Sequence, residues 1–335
     1  MPVGVSERIL SVLQLTRMAL VFTAIADSLA STMIWASWRA AQLDGSGNFA
    51  AYLSNPRLIA VALVSLGLYG FGMSLNDIID RRRDLQIAAY RPLPSGRIGL
   101  IGAHVVCAFL GTVALGAGIY LAYFGHTGLM GLILLLGTLG LITFYDFAGK
   151  YLVWSGLLTL GFIRFFHATI PAPQLPLVWH PLLLLNHVAL LSALAYSWEQ
   201  KRPQLSRSHW WAVIGGLVLA DVTCIALVYM RRQSEGLWIT RGLIVPAEAV
   251  AAFVILAILI RKTSPDLPTA GKRLMLAGLL WLIVYDAAFV AGYVNMKAAM
   301  VILALLPIAY TAVMMMRWWS KLILLSQKPE YQRAR

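Results

Sequence analysis

Charged residues are scarce in this chain, and acids scarcer still: 12% of its 335 residues are charged, with 14 Asp and Glu against 27 Lys and Arg. A soluble domain of this length carries roughly twice that charged share, which excludes a surface wetted on all sides. Only two cysteines occur, Cys107 and Cys224, both inside apolar runs and without CxxC spacing. They suit neither a zinc nor a redox centre and read as small core residues. Long polar connections are missing, so no separate soluble domain is expected. The alternation of a membrane β-barrel is absent. So are GxGxxG, P-loop and GxSxG motifs, which leaves nucleotide-driven transport and serine hydrolysis without support. A signal peptide is not expected either, because the first apolar run is too long for one and lacks a small-residue cleavage site.

What remains is apolar: 60% of residues are hydrophobic and the mean hydropathy is +0.76. About 20 apolar residues cross a bilayer core as a helix, and helices satisfy their own backbone there. Ten stretches reach or approach that length, near 13–38, 57–76, 98–124, 126–145, 152–172, 177–198, 208–230, 240–260, 273–294 and 298–319. The fold class expected is an all-α polytopic membrane protein. Residues 1–12 read as a short amphipathic helix on the membrane surface, 13–319 as the membrane domain and 320–335 as a basic tail.

A net charge of +13 invites a nucleic-acid reading, but its distribution explains it otherwise. With the N-terminus in the cytoplasm, most basic residues fall on the inner side, including Arg8, Arg17, Arg81–Arg97, Lys150, Lys201, Arg202 and the tail. This is the positive-inside bias of an inner-membrane protein. The loop carrying Arg231, Arg232 and Arg241 fits it poorly. No nucleic-acid partner is expected; membrane lipid is.

Against this scarcity of acids, NDIIDRRRD at 76–84 stands out. On a helix Asp77, Asp80 and Asp84 are spaced i, i+3, i+7 and share a face, with Asn76 beside Asp80. Like charges on one face need a compensating cation, and hard oxygen ligands favour Mg²⁺, which prefers sites shared with substrate phosphates. Pro92 and Pro94 then stop the helix. Arg81, Arg91 and Arg97 nearby are suited to fork onto phosphate oxygens. Together they suit a lipid diphosphate, its anionic head at the interface and its tail among the helices. A plain juxtamembrane loop would explain the arginines but not the spacing of the acids.

NDIIDRRRD resembles the NDxxDxxxD motif of the UbiA superfamily of intramembrane prenyltransferases, and YRPLPSGRI resembles the RPLxxG segment that follows it there. FYDFAGK at 144–150 is similar to that family's Tyr…Lys loop, and Gly156, Gly161 and Arg164 to a Gly-rich segment with an Arg. LTRMALVFTAIADSLA at 15–30 is similar to the opening of the EboC-type subgroup. The resemblance covers spans one to seven. It implies a bundle of nine to ten helices around a central chamber. It also implies a polyprenyl diphosphate donor, Mg²⁺ as cofactor, and transfer of the prenyl group to an acceptor that the sequence does not identify. Carried over by position, Asn76, Asp77, Asp80 and Asp84 would hold metal, Lys150 and Arg91 would contact the diphosphate, and Tyr145 would line the site.

The second acidic motif departs from the family. Its place reads AYSWEQKRPQLS, where Glu199 is the sole acid, followed by Lys201 and Arg202. Either Glu199 serves a second Mg²⁺ alone, or the two cations replace part of the metal's role. Asp27, Asp221, Glu248 and Asp286 lie within apolar stretches, where ionisable residues are functional candidates. Asp27, on the helix that also carries Arg17, would orient a polar acceptor or pair with Arg164. The other three, and His167 and His187, read as structural. Two rivals to the enzyme follow. One is a lipid-diphosphate carrier on the same fold, favoured by the thin second motif. The other is a phosphatidyl-alcohol transferase, whose acidic signature is missing.

Basic residues crowd the C-terminal segment (Arg317, Lys321, Lys328, Arg333, Arg335), so an even number of spans with both ends inside is expected. A reporter fused at Arg335 is predicted to signal from the cytoplasm; a periplasmic signal rules out the ten-span topology.

Overall fold

The computed structural model describes residues 5–43, 48–232 and 237–326. No strand occurs among them, as the missing alternation requires. A short helix, α1 (Val5–Leu15), precedes α2 (Val21–Leu43). Between them Arg17 adopts φ 47° and ψ 38°, a left-handed conformation that costs an ordinary side chain roughly 1–2 kcal/mol. α3 (Asn55–Ile79) opens with a proline in its first turn, where no amide is needed. Asp80 alone separates it from α4 (Arg81–Ile87). The amides of Asp80 and Asp84 still bond to Asn76 and Asp80 carbonyls at 2.9 and 2.8 Å, so the helical path runs on through the acidic residues. The chain then turns through 91–98 into α5 (Leu100–Phe124).

There follow α6 (Gly128–Phe147), α7 (Val153–Thr169), α8 (Trp179–Trp198), α9 (Arg207–Arg232), α10 (Ile244–Thr263) and α11 (Leu267–Tyr293). α12 (Met296–Leu303) and α13 (Leu305–Ser326) form the last span, broken at Ala304. Asp266 and Asn295 cap α11 and α12, their Oδ1 atoms accepting from Thr269 and Ala298 amides at 2.7 and 2.8 Å, as short polar side chains do at helix starts. Among the described residues, nine helical stretches are long and apolar enough to cross a membrane. The 17-residue α7 is about 25 Å long at 1.5 Å per residue and makes a tenth apolar helix inside the bundle. The protein is an integral membrane protein.

α2, α8 and α11 form the middle, and α9 and α10 the periphery. In its most apolar stretch the first span is 67% buried, whereas the stretches of α9 and α10 are 11% buried. The outer faces, with Ile101, Phe109, Trp211 and Val254 exposed, are left to lipid. Inside, Ile34, Ile283, Phe289 and Ile302 join α2, α11 and α12; Val64, Leu68, Leu121 and Leu135 join α3, α5 and α6.

Lipid offers apolar side chains as good an environment as a neighbouring helix does, so helix pairing relies on close approach. At Gly67 on α3, a Cβ would stand 2.6 Å from the Leu110 carbonyl oxygen and 2.7 Å from the Ala114 amide nitrogen of α5. Gly67→Leu is expected to lower the thermal stability of detergent-purified protein, by about 1–3 kcal/mol for an overpacked contact. Gly137→Leu, where nothing lies within 4 Å, serves as the control and is expected to change little.

Candidate active site

The acids of the NDIIDRRRD stretch lie where α3 leaves the bundle, and each is met by a cation brought from elsewhere in the chain. Asp77 accepts from Arg17 Nη2 at 3.3 Å and lies 3.6 Å from Arg91 Nη1; the same Arg91 nitrogen donates to Asp84 Oδ2 at 2.6 Å. Lys150 Nζ donates to Asp80 Oδ1 at 2.7 Å and stands 3.9 Å from Asp146 Oδ1. Asn76 Nδ2 donates to Asp146 Oδ1 at 2.7 Å. Local structure explains each reach. The left-handed turn at Arg17 breaks the chain between α1 and α2 beside Asp77. Lys150 follows the end of α6 in a tight 3-10 turn. Arg91 sits in the turn ahead of Pro92. Burial works against the Arg91 charge, but Asp77 and Asp84 outweigh it and hold its pKa above the usual guanidinium value, so this cation stays charged.

Asp146 was not singled out from the sequence. It ends a run of apolar residues on α6, and its partner Asn76 lies 70 residues away. The available signal was its position four residues before Lys150 in FYDFAGK.

Arg17, Asn76 and Asp146 of this charged group also line a chamber of about 430 Å³ among α2, α3, α6, α7, α8 and α11. Arg17, Asn76, Tyr145, Asp146 and Lys201 line the mouth, and Leu68, Ile163, Val188 and Leu279 line the walls. Polar groups return farther along the helices. Arg164 and His167 of α7, Thr23 of α2 and Ser65 of α3 also face the cavity. Arg164 pairs through Nη1 with the fully buried Asp27 and donates through Nη2 to Thr23 Oγ1 at 2.7 Å. Imidazole Nε2 of His167 lies 3.0 Å from Ser65 Oγ, and Nδ1 lies 3.6 Å from Asp27 Oδ2. The pairing of Asp27 with Arg164, one of the two readings of Asp27, is therefore the arrangement found. Asp27 itself does not line the cavity; it holds Arg164 there.

The remaining candidates are dispersed. Glu199 ends α8 against Gly271 of α11, and its Oε2 pairs with Lys201 Nζ at 3.2 Å. It is joined to the mouth through Lys201 rather than set among the aspartates. Arg81 and Arg202 are exposed and enter no ion pair among the described residues. Asp221 accepts from Asn186 Nδ2 at 2.9 and 3.1 Å, Asp286 Oδ1 lies 2.7 Å from His180 Nε2, and His187 Nε2 lies 3.0 Å from the Gly278 carbonyl oxygen. Glu248 is exposed at the start of α10. Among the described residues, no three acids, histidines or cysteines gather as a ready metal cage.

Residues 28–172 match the model of the UbiA prenyltransferase family. A search of curated proteins finds no significant match. Among solved structures, one reported for digeranylgeranylglyceryl phosphate synthase in membranes is 18% identical, with a TM-score of 0.58, covering 86% of this chain and 99% of that one. A UbiA homolog from Archaeoglobus fulgidus, bound to GPP and Mg²⁺, is 12% identical with a TM-score of 0.47, covering 83% and 99%. The first likeness shows a shared fold.

A buried ion pair broken on one side is destabilising by roughly 3–5 kcal/mol, whereas replacing both partners by apolar groups is far milder. Arg164→Met is therefore expected to lower thermal stability sharply, and Asp27→Leu combined with Arg164→Met to recover most of it. Calorimetry in detergent micelles reads both.

Proposed function

We propose that the chain is a UbiA-type intramembrane prenyltransferase, of the EboC-type subgroup on its VFTAIAD opening, which moves an isoprenyl group from a polyprenyl diphosphate to an acceptor. The observation that carries this reading is the meeting of oxygen ligands and phosphate-binding cations at the mouth of an apolar chamber. A prenyl tail suits the walls, and a diphosphate suits the rim of Arg17, Arg91, Lys150 and Lys201.

Mg²⁺ fits the donor set. Asn76, Asp77, Asp80 and Asp84 offer hard oxygens, Asp146 adds another beside Asn76, and Mg²⁺ usually takes one or two carboxylates together with waters and substrate phosphates. It therefore does not need three converging protein acids. When bound, the metal supplies positive charge to the departing diphosphate. Lys150 and Arg91, already fixed by their aspartates, add cationic donors aimed at the same leaving group. The C1–O bond breaks with its electron pair going to pyrophosphate; the acceptor bonds to C1 and gives up a proton. Leucine, isoleucine and valine walls keep water from capturing the allylic cation. Arg164, held by Asp27 and Thr23, would orient a polar acceptor, with Ser65 and His167 beside it. The charge distribution favours a bacterial inner membrane, with the N-terminus and mouth in the cytoplasm.

A carrier that binds the diphosphate without transfer is the second reading, favoured by Glu199 being held by Lys201 away from the four aspartates. Two measurements decide. Asp77→Asn and Asp80→Asn are each expected to abolish Mg²⁺-dependent binding of geranylgeranyl diphosphate; undiminished affinity in both would falsify the metal assignment. Wild-type protein given this donor, Mg²⁺ and a membrane extract as acceptor pool is expected to release pyrophosphate. Glu199→Gln should depress that release far more than donor affinity, because charge on the leaving group grows in the transition state. Silence with donor binding intact establishes the carrier.

A further inference from the structure

The inner end of the chamber is polar and stands apart from the charged mouth. Ser65 lies about 18 Å along α3 from Asp77, at 1.5 Å per residue, and His167 Nε2 is 3.0 Å from its hydroxyl. A diphosphate held at the rim does not reach this end. Arg164, one turn before His167 on α7, and Thr23 complete the polar side chains displayed there. They are a guanidinium, two hydroxyls and an imidazole, with no carboxylate among them. The acids stand behind. Asp27 is fully buried and accepts from Arg164 Nη1, and Asp286 of α11 is a hydrogen-bonding neighbour of Asp27. Both hydroxyl protons are already engaged: Thr23 Oγ1 donates to the Leu20 carbonyl at 2.9 Å and Ser65 Oγ to Ser28 Oγ at 2.9 Å. A guanidinium carries five N–H donors. Arg164 gives one to Asp27 and one to Thr23, and the others have no partner among the described residues.

This arrangement selects on charge. A cationic ligand meets a displayed guanidinium and no displayed acid. An anionic ligand meets a guanidinium whose charge Asp27 already matches, so little attraction remains to offset the cost of stripping an ion of water. An uncharged oxygen suits the site: it accepts from the N–H donors that Arg164 has left and costs far less to remove from water. We infer that the acceptor is an uncharged molecule held by Arg164 through a hydroxyl or carbonyl oxygen, and not a carboxylate or a phosphate. The inference rests on the transferase reading and names the class of its second substrate. An uncharged acceptor that bonds to C1 and yields its proton to an oxygen of the departing pyrophosphate gives an uncharged product.

The test gives the purified full chain, in detergent, isotope-labelled geranylgeranyl diphosphate, Mg²⁺ and a whole lipid extract of native membranes. Labelled products are then passed over an anion exchanger. Unreacted donor and geranylgeraniol, the product of capture by water, are identified by standards and set aside. Wild-type protein is expected to place at least about tenfold more labelled adduct in the unretained, uncharged fraction than in the retained one, a margin that one uncompensated buried charge readily supplies. Adduct mainly in the retained fraction, or in similar amounts in both, overturns the inference and leaves the transferase standing. No adduct at all, with donor binding intact, overturns the transferase reading, and the inference with it. Asp27→Asn leaves Arg164 without its counter-charge and is expected to move the ratio toward retained, anionic adducts by about tenfold, which loosened packing alone does not do. An unchanged ratio in the folded variant overturns the role given to Arg164. The wild-type ratio decides the acceptor class whether or not that variant folds.

Discussion

Lys150 Nζ lies 2.7 Å from Asp80 and 3.9 Å from Asp146, and much of the charged mouth depends on that contact. It ties the end of α6 to the junction of α3 and α4. Arg91 does the same for Asp77 and Asp84, and Arg17 ties in the start of α2. Close to a low-dielectric layer, carboxylates left alone would be costly. Pairing with Arg17, Arg91 and Lys150 offsets much of that cost, and on the proposed reading both partners would lie within reach of a diphosphate and its metal. On that reading the same cations would meet phosphate oxygens, and the compensation that stabilises the folded chain would also prepare the site.

The interior repeats this logic without solvent. Asp27 is matched by Arg164, Asp286 by His180 and Asp221 by Asn186. Each pairing crosses between helices and fixes their rotation, which packing among leucines alone specifies weakly. One consequence is functional: Asp27 stays buried, and Arg164 is the group displayed to the chamber. Close helix contacts at Gly67 and Gly271 bring α3 to α5 and α11 to α8, and the second of these sets Glu199 against α11, with Lys201 reaching the mouth.

Much of this was legible in the sequence because the physics involved is local. Ten apolar stretches follow from length and hydropathy, and all ten fold as helices. The first acidic motif follows from spacing along a single helix. What escaped notice depends on contacts distant in the chain. Asp146 looks like the polar end of an apolar helix until Asn76 arrives beside it. His180 gives no sign that it will face Asp286 more than 100 residues later. Trp35 gives no sign that it will be buried beneath the Arg57 guanidinium, which lies 3.8 Å over its ring. Side-chain chemistry was readable, but the choice among possible partners belongs to the packing of the bundle.

The central claim is that the rim is a diphosphate–metal site whose acids are held by cations until both ligands arrive together. Electron paramagnetic resonance of Mn²⁺, standing in for Mg²⁺, tests it most directly. Titrated alone into purified protein, Mn²⁺ should bind weakly, because Lys150 and Arg91 occupy the aspartates. With a non-hydrolysable prenyl diphosphate analogue present, its affinity should rise by at least about tenfold, and Asp80→Asn should remove that rise. Mn²⁺ affinity that is the same with and without the analogue contradicts the account.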